Sequence, residues 1–136
     1  MATPTELITR LQIKAGAKLW LINVPHAVAE VLTSGAEVEL VPGGEGCTGV
    51  IAFCETQAEV GSFIAQARVK LPEDGLLWLA YRKGDPDFNR DRGWEALGEH
   101  GLRPVRQVAV DAVWSALRLR PTSLVKAKPG SRFTKS

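Results

Sequence analysis

The stretch LWLINVPHAVAEVL, residues 19–32, decides how the chain is read. An apolar run, LWLINV, goes straight into a segment whose apolar positions, Ala27, Val28, Val31 and Leu32, recur at helical spacing. A strand that feeds a helix through a tight turn is the opening unit of an open α/β sheet. In nucleotide-binding members that turn is glycine-rich, which lets the backbone approach a phosphate. Here it reads Asn23-Val24-Pro25-His26. It contains no glycine, and Pro25 removes one amide from the helix's anion-binding end. The turn is expected to be structural and to hold no nucleotide. Asn23 and His26 remain as side chains at the mouth of the sheet that could recognise something smaller.

The same alternation repeats on either side. Upstream, Thr3-Pro4-Thr5-Glu6 has the layout of a capped helix start, and Leu7, Ile8 and Leu11 form one apolar stripe. KLWLINV, 18–24, is then expected as a strand buried on both faces. Downstream, AEVELVP, 36–42, alternates polar and apolar residues in the manner of a sheet edge, and PGGEGCTG turns the chain into GVIAFC, 49–54, another continuous apolar strand. Thr56 and Glu59 make a capping box for a helix carrying Val60, Phe63, Ile64, Ala67 and Leu71. LLWLAY, 76–81, reads as a third buried strand, followed by the polar loop RKGDPDFNRDRG. WEALGEHG is a short helix stopped at Gly101, and strands near 104–110 and 113–120 make a terminal hairpin.

These elements predict a three-layer, Rossmann-like α/β domain over residues 1–120, with a mostly parallel sheet and a C-terminal antiparallel hairpin. Residues 121–136 follow as a basic tail. Right-handed crossovers place the second strand on one side of the first and the third on the other. The switch point then lies between strands one and three, where open α/β sheets bind ligands. The loops at Asn23–His26, Pro42–Cys47, Glu55–Gln57 and Arg82–Asp91 are expected there. The 42–48 connection leaves the direction of the second and third strands open, because seven extended residues reach only about 23 Å.

At 136 residues, 45% hydrophobic and 24% charged, the composition is that of one globular domain. The longest apolar runs are far short of the roughly 20 residues needed to span a bilayer, and MATPTELITR has no hydrophobic signal core. A cytoplasmic protein with no membrane partner is expected. Cys47 and Cys54 do not form a zinc set, and Cys54, closing an apolar run, reads as a small buried hydrophobe. Residues 1–120 hold 13 Lys/Arg against 15 Asp/Glu, whereas the tail carries Lys126, Lys128, Arg132 and Lys135 with no acid. That tail suggests a solubilising segment; weak contact with nucleic-acid phosphates is the alternative use of its four cations.

The closing order, "LPEDGLLWLAY", a helix, "HGLRPV" and a hairpin ending "SALRLRP", resembles the second half of a class I S-adenosylmethionine-dependent methyltransferase fold. That resemblance implies a last strand tucked antiparallel between two others. IKAGAKLWLINVP, NRDRGW and VAVDAVWSALRLRP also resemble a family of small bacterial proteins of unknown function with this shortened, methyltransferase-like layout. The departure is the opening turn, where methyltransferases typically carry an acidic residue and glycines. Glu39 is the residue that matches their ribose-binding acid.

The candidate ligand contacts are therefore Asn23, His26, Glu39, Arg82, Lys83, Arg90 and Asp91, the last four from the polar loop after the third buried strand. PGGEG lacks the lysine and Ser/Thr of a P-loop and reads as a turn. No catalytic constellation, metal cluster or cofactor is implied. The expected function is a non-enzymatic interaction or small-ligand-binding module, with an unidentified protein or small molecule as partner and the sheet edges available for a homodimer. The alternatives are a minimal methyltransferase with an unusual cofactor site, or weak nucleic-acid binding through the tail.

Overall fold

The computed structural model describes residues 4–34, 37–72, 75–84 and 94–122. In chain order the elements are α1 (Pro4–Arg10), β1 (Ala17–Ile22), α2 (His26–Ser34), β2 (Val38–Leu40), a 3-10 turn at Pro42–Gly44, β3 (Gly49–Phe53), α3 (Gln57–Lys70), β4 (Leu76–Arg82), α4 (Glu95–Glu99), β5 (Leu102–Ala109) and β6 (Trp114–Pro121). The strands form one six-stranded sheet in the order β2-β1-β3-β4-β6-β5. The first four are parallel, and β6 runs antiparallel between β4 and β5. The Rossmann-like sheet with its C-terminal antiparallel hairpin is thus present, and the switch point falls between β1 and β3. Residues Thr3, 85–93 and 123–136, with the helix cap, most of the polar loop and the basic tail assigned to them, lie outside the described residues; Pro121 belongs to β6 rather than to the tail.

The register explains how so short a 42–48 connection joins two parallel strands. Leu19 pairs with Leu40 at the end of β2 and with Gly49 at the start of β3. The chain crosses β1 at one level and never travels the length of the sheet. The crossing is close: Gly44 has φ +80, and a Cβ there would stand 2.4 Å from the Trp20 ring. This stagger limits β2 to three residues, so the upper half of β1 keeps one open edge. Hence β1 is not the doubly buried strand its composition implied. Leu19 is fully buried, whereas Trp20, Leu21 and Ile22 are only partly covered. The strand also stops at Ile22, before the expected Val24, because Asn23 leaves extended geometry.

Alternation along the inner strands sends side chains to two cores. Ile51, Phe53, Trp78, Ala80 and Trp114 meet Leu7, Ile8 and Leu11 beside α1, and Val28 and Leu32 of α2. Val50, Ala52, Leu77, Leu79, Leu117 and Leu119 meet Val60, Ile64 and Ala67 of α3 and Leu97 of α4. All five residues of β3 are buried, and each large apolar side chain so placed contributes about 1.5–3 kcal/mol. Trp78 adds a polar tie, its Nε1 donating to the Leu11 carbonyl at 2.9 Å. At the start of α3, Glu59 Oε1 accepts the backbone N–H of Thr56 at 3.1 Å and of Glu55 at 2.6 Å, satisfying amides just before the helix. Among the described residues no helix is long and apolar enough to cross a membrane.

Candidate functional site

The first strand-to-helix turn is built on Asn23. Its φ of 57° lies in the left-handed region, which asparagine tolerates better than most side chains, so the chain turns here without glycine. The Asn23 Nδ2 donates to the Phe53 carbonyl at 3.0 Å, spanning the switch point from the end of β1 to the end of β3. The Pro25 carbonyl then accepts the amides of Val28 and Ala29, each at 3.0 Å, and α2 begins. His26, 88% exposed, places Nε2 2.9 Å from Glu30, itself 69% exposed, one turn along the helix.

Glu39 is not brought to this turn. It is exposed in β2 and pairs in register with Lys18, five residues before Asn23, a separation of about 16 Å along a strand. The Pro42–Gly44 turn also lies away from the mouth, packed on Trp20 by Gly44. It therefore acts as a crossing and not as a ligand loop at the strand ends. Glu45 beside it pairs with Lys70, whose ammonium holds the carboxyl below the usual carboxylate range.

Arg82, the last residue of β4, does reach the mouth. Its Nη2 lies 2.9 Å from Glu55 Oε1, and its guanidinium carbon sits 4.8 Å from the centroid of the Trp114 ring. Both members of the ion pair are 53% exposed, so the pair contributes at most about 1 kcal/mol. Lys83 donates from Nζ to the Asp111 carbonyl at 2.7 Å. Asp111 is the turn residue of the hairpin, its Oδ1 accepting the amides of Val113 and Trp114, each at 2.8 Å. Arg90 and Asp91 lie outside the described residues. The structure thus gathers Asn23, Arg82 and Lys83 at the carboxyl end of the sheet, pairs His26 with Glu30, and leaves Glu39 apart.

Sequence reasoning expected the loop at Glu55 near the mouth without singling out Glu55 itself, and it missed Trp114 as a platform for Arg82 and a polar trio on the other face of the sheet. Gln107 Nε2 donates to Tyr81 Oη at 2.7 Å and to Ser115 Oγ at 3.1 Å. The available signal was Ser115, a polar residue next to apolar positions of a strand and buried in the structure. Cys47 and Cys54 are free, buried and part of the core beside α3. Burial pushes the Cys47 thiol up and the Cys54 thiol up to about 12, so neither is a nucleophile near neutral pH. Among the described residues no cluster of His, Cys, Asp and Glu could hold a metal ion.

No family model matches the sequence, and no curated protein matches it. Solved structures do share the fold. A candidate type 11 methyltransferase from Sulfolobus solfataricus is similar at a TM-score of 0.57 and 10% identity, over 93% of each chain. A 1,6-didemethyltoxoflavin-N1-methyltransferase from Burkholderia thailandensis, with S-adenosylhomocysteine bound, is similar at 0.58 and 14% identity, over 88% of this chain and 76% of that one. An S-adenosylmethionine-dependent methyltransferase from Aquifex aeolicus aligns at 0.53 and 13% identity, over 85% and 88%. The layout is therefore methyltransferase-like. The residues that would seat S-adenosylmethionine in the usual way do not fit it: Val24, Pro25 and the Asn23 clamp replace the glycine turn, and Glu39 lies well below the mouth.

Proposed function

We propose that the protein is a non-enzymatic interaction or small-ligand-binding module on a methyltransferase-like fold. The observation that supports this best is the cross-tied carboxyl end of the sheet. Asn23 joins β1 to β3 through the Phe53 carbonyl, and Arg82 joins β4 to Glu55. The chain's own side chains span the crevices that an open α/β sheet uses for a cofactor. Arg82 and Lys83 suit an acidic small molecule or an acidic segment of a partner protein, with Asn23 and His26 at the margin; Arg90 and Asp91 follow in the sequence, outside the described residues. This reading also fits a cytoplasmic protein that pairs with a second copy along a sheet edge.

A second reading has support of its own. The fold likeness extends over 93% of both chains in one comparison. It favours a minimal S-adenosylmethionine-dependent methyltransferase with the cofactor in an unusual pose more directly than it favours a module without chemistry. Calorimetric titration with S-adenosylhomocysteine separates the two. The module reading expects no heat of binding up to about 1 mM ligand. A micromolar response that weakens in Arg82→Ala would replace it with the methyltransferase.

A further inference from the structure

We infer that the terminal hairpin forms a phosphate-binding pocket at the opposite end of the sheet. β5 and β6 carry Arg103, Arg106, Arg118 and Arg120. The register sets Arg103 directly opposite Arg120, and Arg106 directly opposite Arg118. Facing residues of an antiparallel pair share a face. The four arginines therefore stand on one side of the hairpin, continuing the row of Val108 and Ala116 in the core beside α1. Arg103 and Arg106 are three positions apart, an odd offset that in a regular strand points side chains to opposite faces. The irregularity between Pro104 and Arg106 restores them to the same face.

Two neighbouring arginine pairs concentrate positive charge on one patch of a region of 120 residues whose acids outnumber its bases by 15 to 13. A cavity of about 250 Å³ lies at this place, lined by Gln12, Val105, Arg106, Arg118 and Arg120. Gln12 follows α1 at φ 61°, and its Oε1 accepts from Arg118 Nη1 at 2.7 Å. That bond orients the guanidinium and leaves the Gln12 amide hydrogens as further donors. Arg103, Arg118 and Arg120 make further interactions within the protein, and the Gln12 bond holds the Arg118 head in place before any ligand arrives. Planar guanidinium forks match the oxygens of a phosphoryl group, and the cavity is of a size for one or two such groups.

This pocket is independent of the carboxyl-end site. Arg118 pairs with Trp78 in the first half of β4, whereas Arg82 ends that strand. The phosphate could belong to a small phosphorylated molecule or to a nucleic-acid backbone. Beyond Pro121 the sequence adds four more cations and no acid.

The test titrates the full-length protein at low salt with pyrophosphate by calorimetry, and with a labelled single-stranded RNA oligonucleotide by anisotropy. Arg106→Gln and Arg120→Gln are compared with a variant in which Lys126, Lys128, Arg132 and Lys135 are all changed to glutamine. We expect binding that weakens about tenfold or more in each arginine variant and persists in the tail variant. The ligand-free melting temperature of Arg106→Gln should match that of the wild type, since Arg106 is exposed, so that its lost affinity reports the pocket and not the fold. Arginine-dependent RNA binding assigns the phosphate to a nucleic acid, and arginine-dependent pyrophosphate binding without RNA binding assigns it to a small molecule. Binding of neither probe, or affinity that the arginine substitutions leave unchanged, overturns the proposal.

Discussion

Asn23 carries two separable loads, a left-handed backbone at φ 57° and a hydrogen bond of 3.0 Å to the Phe53 carbonyl. Asn23→Gly keeps the backbone conformation and loses the bond, at a cost of about 1 kcal/mol. Asn23→Ala loses the bond and places a Cβ in the left-handed region, at a cost of about 2 kcal/mol. Urea midpoints should therefore rank wild type, then glycine, then alanine. Equal losses in the two variants would show that the backbone conformation costs alanine nothing. Asn23 was legible as a turn residue of the right type, but its partner 30 residues on was not, because strand pairing brings Phe53 to it. The same holds for Arg82: its place at a strand end followed from the apolar run before it, whereas Glu55 and Trp114 reach it only through the order of strands. His26 and Glu39 show the limit from the other side. Both had suitable chemistry, yet a neighbouring carboxylate takes one and a strand level displaces the other.

The connection from β2 to β3 is the element that most constrains the fold. Gly43 and Gly44 share a φ of +80, but only at Gly44 would a Cβ meet the Trp20 ring. Gly43→Ala should cost about 1 kcal/mol, the penalty of the left-handed backbone alone. Gly44→Ala should cost about 1–3 kcal/mol more through overpacking and shift the tryptophan emission as Trp20 moves. Chemical denaturation followed by fluorescence reads both, and equal costs would place the indole away from the turn. At this scale much was legible. The Thr56 and Glu59 pair marked the start of α3, the stripe of α1 named its buried residues, that of α2 named Val28 and Leu32 as well as the exposed Ala27 and half-buried Val31, and the runs of β3 and β4 named strands covered on both faces. The apolar run of β1 misled, because composition reports what a strand can bury and not whether its edge is covered.

Across the whole molecule, cooperativity should follow the sheet order. β3, β4 and β6 lie inside the sheet, packed between helices or neighbouring strands, while β2 is a three-residue edge. Native-state hydrogen exchange should find the slowest amides in β3 and β4, and should find those of β2 exchanging at least about 100-fold faster. Uniform protection across the sheet would show that β2 opens only with global unfolding. The sequence by itself determined the alternation of strands and helices, the two-faced burial of the inner strands and the antiparallel ending. Those features follow from local periodicity and from the need to cover apolar faces. Only the tertiary structure decided the level at which β2 stops, which carbonyl Asn23 caps, what Arg82 pairs with, and that four arginines of the hairpin share one face. Each of these depends on register, and register is a relation between residues far apart in the chain, set by how whole strands pack and not by the residues on any one of them.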